Sequence, residues 1–196
     1  MGLGDIKREM DEAKIKAAVA MLLEGIGENT KREGLAETPR RVAEMYAELF
    51  SGINSDPKAE LKVGFEESHR EMVIVRDVPF YSMCEHHLLP FYGTAHVGYI
   101  PNKEGRVVGA SKLARVVEVV AKRPQMQERM TSVIADSIME ALKADGVGVV
   151  VQAEHLCMIM RGIKKPGSTM VTSALRGTFR SKTDTRNEFF SLLQGK

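Results

Sequence analysis

The sequence predicts an α+β fold made of antiparallel hairpins with helices packed against them. Three observations carry this expectation. β-Rich segments come in two pairs, one between residues 71 and 101 and the other between 147 and 180. Two helical segments separate the pairs. The order is therefore helices, two strands, two helices, two strands, which is not the alternating strand–helix pattern of a parallel sheet.

Each element has a local reason. Residues 5–24 place Ile6, Met10, Ala13, Ala17 and Met21 near helical spacing. A polar break, GIGENTKREGLAE, follows, and Thr38-Pro39 then offers a capping hydroxyl ahead of a proline at the first helical position. Val42, Met45, Tyr46, Leu49 and Phe50 give this second helix one apolar face, and Gly52 ends it. Residues 1–55 thus read as a helical appendage to a main domain over 56–196. EMVIVRDVPFYSM and TAHVGYIP read as strands joined across MCEHHLLP. Residues 111–121 and 126–144 read as helices parted by Arg123-Pro124. The second is amphipathic through Met126, Met130, Val133, Ile134, Ile138, Ala141 and Leu142, and Asp145-Gly146 stops it. VGVVVQAEHLCMIM and TMVTSALRGTFR read as two more strands turned by RGIKKPGS, and a short helix over 184–193 follows.

Composition removes several classes of function. The 28 basic and 26 acidic side chains leave a formal charge of +2, so no global field draws the chain to nucleic acid or to a membrane surface. Any anion site must come from local placement. Hydrophobic residues at 43% and charged residues at 28% are ordinary for a globular protein. No apolar run approaches the roughly 20 residues that span a bilayer. MGLGDIKREMDEAK lacks the apolar core of a secretion signal, and Gly2 is not followed by Ser or Thr at position 6 as acylation requires. The expectation is a cytoplasmic protein with no nucleic-acid or membrane partner, and with both cysteines reduced.

Residues 84–87, CEHH, put a thiol, a carboxylate and two imidazoles in consecutive positions of a chain that has only two cysteines and five histidines. Cys84 and His87 have a C-x-x-H spacing that a tight loop can fold onto one ion. Zinc sites use such donors, and catalytic ones keep three protein ligands and an open position. The other cysteine, Cys157, lies in EHLCM on an expected strand. There His155 and Cys157, two apart, would face the same way. Cys84, His87 and Cys157 are therefore candidate ligands. Core packing explains the same residue types, and spacing leaves both readings open. With a metal present, His86 and His155 are unligated imidazoles beside it, suited to proton transfer near neutral pH. That pattern belongs to metal-assisted hydrolysis rather than to a closed structural site.

Basic residues cluster locally. Ser111, Lys112 and Arg115 share a face near a helix N-terminus, where free N–H groups and the dipole favour anions. Arg161 follows the cysteine strand, and Arg40 and Arg41 open another helix. Lys164, Lys165 and Arg40 read as solvated surface. Lys112, Arg115 and Arg161 read as a phosphate site. Without a basic–aromatic stripe, a small polyanion suits this pattern better than nucleic acid. Gln127 and Glu128 open the long helix. A carboxylate offers acceptors only, matching the paired N–H donors on one edge of guanine; taken alone, Glu128 is a surface charge at a favourable helix start.

Taken together, ETPRRVAEMYAELFSG, PFYSMCEHHLLPFYGTAHVGYIP, VVGASKLARVVEVVAKRPQMQERMT, EHLCMIMRGIKKPGS and TSALRGTFRSKTDTRNEFF closely resemble the GTP cyclohydrolase I family, over roughly residues 10–194. The resemblance implies hydrolysis and rearrangement of GTP to 7,8-dihydroneopterin triphosphate and formate, the first step of tetrahydrofolate and pteridine biosynthesis, begun by attack of a metal-bound water on guanine C8. It implies Zn2+ on Cys84, His87 and Cys157, proton transfer by His86 and His155, and a role for the Ser111 hydroxyl in the sugar rearrangement. It also implies guanine recognition by Gln127 and Glu128, and triphosphate contacts from Lys112, Arg115, Arg161 and a neighbouring subunit's Arg41. The family's tunnelling fold implies strands closed into a barrel in a homo-oligomer, a decamer of two pentameric rings with sites at subunit boundaries. Two rival readings remain: a related nitrile reductase, which needs a nucleophilic cysteine, and a non-catalytic nucleotide-binding or zinc-stabilised module, against which the spare histidines count.

Overall fold

Capping and turn chemistry set the element boundaries. In the computed structural model, which describes residues 9–194, α1 (Glu12–Gly25) starts where the Asp11 carboxylate accepts the Lys14 N–H. The helix therefore begins later than the apolar spacing predicts: Met10 precedes it, and Ile6 lies outside the described residues. A short α2 (Glu33–Ala36) interrupts the polar break, and α3 (Thr38–Leu49) carries Pro39 in its first turn. A 3-10 turn, Pro57–Leu61, is capped by Asp56. Then come β1 (Phe65–Glu66), β2 (Val73–Cys84), β3 (Pro90–Ile100), β4 (Arg106–Val107), α4 (Ala110–Ala121), β5 (Pro124–Gln125), α5 (Gln127–Leu142), β6 (Gly146–His155), α6 (Leu156–Ile159), β7 (Met170–Gly177), α7 (Thr178–Ser181) and α8 (Thr183–Gln194).

The main sheet has the order β5-β2-β3-β6-β7, and β1 pairs with β4 in a separate ribbon. All neighbours in the main sheet are antiparallel except β2 and β5, which run parallel through Met83–Pro124 and Cys84–Gln125. The chain is thus α+β, as expected. Period-two alternation turns Phe91, Ala95, Val97 and Tyr99 of β3 toward one face, beside Val147, Val149, Val151 and Ala153 of β6. Leu113, Val116, Val117 and Val120 of α4 cover this face together with Met130, Ile134, Ile138 and Leu142 of α5. Burying each such aliphatic side chain contributes about 1.5–3 kcal/mol. The phenol of Tyr99 is satisfied inside the core, accepting the Val108 N–H at 3.1 Å.

β2 contains an irregularity that the sequence pattern does not announce. Its pairing steps from Val75–Val97 to Val78–Ala95, so β2 holds one residue more than β3 across that interval. Asp77 sits in the left-handed region at φ 56°, and its N–H donates to His96 Nδ1 at 3.2 Å. Before the bulge the odd-numbered Val73 and Val75 pack on the core; after it the even-numbered Val78, Phe80, Ser82 and Cys84 are buried. The bulge thereby reverses the strand's parity and aims Cys84 at the helix-covered side.

A second small core lies on the other face. Phe179 and Phe189, both fully buried, meet edge to face at 5.1 Å over paired Gly98 and Gly148. A β-carbon at Gly148 would lie 2.6 Å from Phe179 Cδ1 and 2.9 Å from Phe189 Cε1. Gly148→Ala is expected to destabilise the fold by about 1–3 kcal/mol through overpacking. Urea denaturation checks this as a lowered midpoint with an unchanged slope.

Candidate active site

The end of β2 turns back on itself within the CEHH motif. Cys84 C=O accepts the N–H groups of His87 (3.3 Å) and Leu88 (2.8 Å), and Leu88 takes a left-handed conformation at φ 50°. The Cys84 N–H donates to Leu89 O at 2.9 Å, just ahead of β3, and the Glu85 N–H to Gln125 O of β5 at 3.0 Å, anchoring the turn at both sides. This fold-back brings His87 Nδ1 to 3.9 Å from Cys84 Sγ.

Cys157 arrives differently from the expectation. β6 stops at His155, and Leu156–Ile159 forms a single helical turn, so strand alternation does not relate His155 to Cys157. The turn instead carries Cys157 Sγ to 4.0 Å from Cys84 Sγ. The donor atoms of Cys84, His87 and Cys157 lie within 4.8 Å of one another. Tetrahedral zinc, with Zn–S about 2.3 Å and Zn–N about 2.0–2.1 Å, separates its donors by about 3.6–3.8 Å. The two distances from Cys84 Sγ exceed these by a few tenths of an ångström, and no pair of the trio is more than 4.8 Å apart, so the three donors could close onto one ion. Burial and the neighbouring Cys84 push the Cys157 thiol pKa up; a cation between the two sulfurs reverses that effect by favouring thiolates.

His155 ends β6 on the core side, stacked flat on its ladder partner Phe91 with centroids 4.6 Å apart. Its Nε2 lies 2.8 Å from Gln127 Oε1. Gln127, 1% exposed, directs its amide nitrogen at Val151 O (3.0 Å), Met170 O (3.0 Å) and Thr172 Oγ1 (3.1 Å). The hydroxyl protons run in one order: Thr131 donates to Gln127 O at 2.7 Å, so Thr172 donates to Thr131 across 2.6 Å and keeps a lone pair for the amide. The amide is thus oriented with its oxygen toward the imidazole, and His155 carries its proton on Nε2. Burial holds the His155 pKa below the usual histidine value, outweighing the opposing charge of Glu128.

Other residues group around these. His86 is exposed, with Nδ1 3.9 Å from Cys84 Sγ and Nε2 4.0 Å from Glu85 Oε1. Glu128 is exposed in the first turn of α5. Arg161 is exposed, and its charge acts on the Cys157 thiol. A second group lies on α4: Lys112 Nζ and Arg115 Nη1 stand 3.9 and 3.7 Å from Glu60 Oε2, and Ser111 is exposed in the same first turn. Arg115 also borders a groove of about 490 Å³ lined by Glu48, Phe80, Tyr81 and Lys122, which does not include the cysteines. Arg41 is exposed on α3, and no described hydrogen bond or ion pair joins it to any of these groups. Sequence reasoning missed Glu60 and the Arg129–Glu85 ion pair, whose partners are separated by 44 positions. Arg129 holds the Glu85 carboxyl below the ordinary carboxylate range.

The donor geometry could hold one metal ion per chain. Cys157→Ser is expected to lose that metal while keeping its circular dichroism spectrum, as checked by elemental analysis. Zinc retained at one per chain would remove Cys157 from the ligand set.

The family model for GTP cyclohydrolase I matches residues 15–194. Proteins named GTP cyclohydrolase 1 align along nearly their whole length: one from a strain of Dehalococcoides mccartyi is 66% identical over 95% of this chain and 98% of its own. Others from Pelotomaculum thermopropionicum and Geobacillus kaustophilus are 62% and 59% identical, with the same coverage. A family match spanning the CEHH turn, α4, α5 and the Cys157 turn, joined to identity of this extent, shows that the chain belongs to the GTP cyclohydrolase I family.

Proposed function

We propose that the chain hydrolyses and rearranges GTP to 7,8-dihydroneopterin triphosphate with release of formate, opening tetrahydrofolate and pteridine biosynthesis. The observation that carries this reading is the Cys84–His87–Cys157 donor trio, with the His86 imidazole 3.9 Å from Cys84 Sγ and His155 at the end of β6, two residues before Cys157. When bound, Zn2+ on that trio supplies a coordinated water acidified to near-neutral pKa, the nucleophile for guanine C8.

The chain's own residues then bind, orient and move protons. Glu128 accepts the paired N–H donors of the guanine edge, and Gln127 serves the same pocket from beneath, through His155. With Nε2–H committed to Gln127, His155 works through Nδ1, which takes up a proton and delivers it at guanine N7, making C8 electrophilic. Exposed His86 handles protons in the second hydrolytic step that frees formate. The Ser111 hydroxyl assists the sugar rearrangement before reclosure on the amine. Lys112, Arg115 and Arg161, with Arg41 from a neighbouring subunit, hold the triphosphate. Their role is to fix C8 over the metal, not to touch the bonds that break.

Assembly belongs to the same reading. Among the described residues β7 is an open edge, and β2 is covered on its outer side only at Met83 and Cys84. Closing such edges between copies, in the tunnelling-fold barrel of two pentameric rings, removes a hazard that a lone sheet carries. It also brings Arg41 of one copy to the site of another. Residues 1–55, described from residue 9 onward, are read as a helical appendage to the catalytic unit over 56–196, described to residue 194. No described helix is long and apolar enough to cross a membrane, and the reading places the enzyme in the cytoplasm.

Purified protein is expected to convert GTP into a product that oxidises to a fluorescent pterin, and a chelator should abolish the signal. GTP recovered intact from zinc-loaded protein would sink the proposal. Glu128→Ala should lower kcat/KM for GTP by about ten- to a hundredfold, the worth of hydrogen bonds to a charged acceptor of about 1.5–3 kcal/mol. It should also erode discrimination against ATP; unchanged preference moves purine recognition elsewhere.

A further inference from the structure

Glu85 stands inside the CEHH motif, and the site described so far leaves it without a task. Its carboxylate is gripped at both oxygens by Arg129, Nη1 on Oε2 and Nη2 on Oε1, the latter at 3.0 Å. Arg129 Nη2 also contacts Met126 Sδ at 3.6 Å, steadying the fork from the helix start. Most surface ion pairs are loose and contribute little. A two-point guanidinium–carboxylate fork is different in kind, because it fixes orientation as well as distance.

What the fork joins gives it meaning. On one side are Cys84 and His87, the candidate ligands flanking Glu85, together with His86. On the other is the first turn of α5, where three consecutive side chains diverge by about 100° each. Gln127 turns inward to hold His155, Glu128 stays open, and Arg129 reaches the metal turn. The base of the metal turn is fixed by backbone bonds to Leu89 and Gln125. Its exposed His86 and His87 have no other described side-chain link to α5.

We propose that Glu85 and Arg129 are a positioning pair, whose fork sets the spacing between the metal turn and the purine held by Glu128. The proposal rests on the functional reading above. Neither residue touches substrate. Loosening the fork lets the metal turn shift relative to the bound purine, and a misplacement of about 1 Å costs up to about a hundredfold in rate. Nucleotide affinity is preserved, because Glu128 and the basic residues remain.

The experiment compares full-length, zinc-loaded wild type with Glu85→Gln, Arg129→Met, the double variant and Arg129→Lys. Each is measured for kcat, for KM toward GTP and for zinc per chain. Arg129 is half exposed, so its replacement does not threaten the core. Either single change should lower kcat by about ten- to a hundredfold, with KM within about twofold and zinc retained. The double variant should be no worse than the worse single one, because both remove the same contact. Lysine, which keeps the charge but loses the fork, should fall between. Unchanged kcat in the single variants, losses that multiply in the double, or zinc falling in step with kcat would each overturn the proposal. A wild type that makes no pterin removes the functional reading and this proposal with it; an active wild type without the expected pattern overturns the pair alone.

Discussion

One extra residue in β2 determines which way Cys84 points. Before the Asp77 bulge the strand buries odd-numbered side chains, and after it even-numbered ones. Were β2 to pair straight through without the bulge, Met83 would take the register position from which Cys84 meets Cys157. The bulge is itself held, since the Asp77 N–H donates to His96 Nδ1 on the neighbouring strand. A backbone-to-imidazole bond well up the strand therefore underlies the donor geometry at its end. The β2–β5 pairing at Cys84–Gln125 and the fold-back onto Leu89 then complete the placement.

The start of α5 is the second fixed point. Its packing is that of an ordinary core helix, with Met130, Ile134, Ile138 and Leu142 at four-residue intervals on the sheet. That rigid seat gives the first turn its precision. Gln127 is satisfied by two carbonyls, a hydroxyl and an imidazole, so its orientation is determined by its partners. The protonation pattern of His155 follows from hydrogen-bond direction, and stacking on Phe91 holds the ring plane.

Much of this was legible in the sequence, and the exceptions have physical causes. Apolar spacing marked α5, and β-rich composition bounded by turn signals marked all four long strands, because burial selects such residues. The C-x-x-H spacing of Cys84 and His87 marked the donor turn, and Cys157 stood out as the other thiol. Its local structure differs from the expected strand: LCMIM resumes the apolar character of VVV after QAEH, which fits one long strand as well as a strand followed by a helical turn. The Asp77 bulge left no trace because its cause is a cross-strand contact with His96. Arg129 looked like one more helix-surface charge, since its partner Glu85 is distant in sequence and near only after the sheet forms. α1 began later than its apolar spacing suggests because the Asp11 cap set its start.

The crowding of duties onto the first turn of α5 constrains how such a chain changes over generations. Residues that each answer to a different neighbour cannot drift alone. A replacement at 127 must be matched by acceptors on two strands and by the ring of His155, and one at 129 by the residue at 85. Substitutions there should be inherited as sets, with isolated intermediates removed by selection, while the outer face of the same helix is free to vary. The turn acts as a historical lock: the sheet and the CEHH turn are bound to one shared set of side chains, whatever happens to the loops around them.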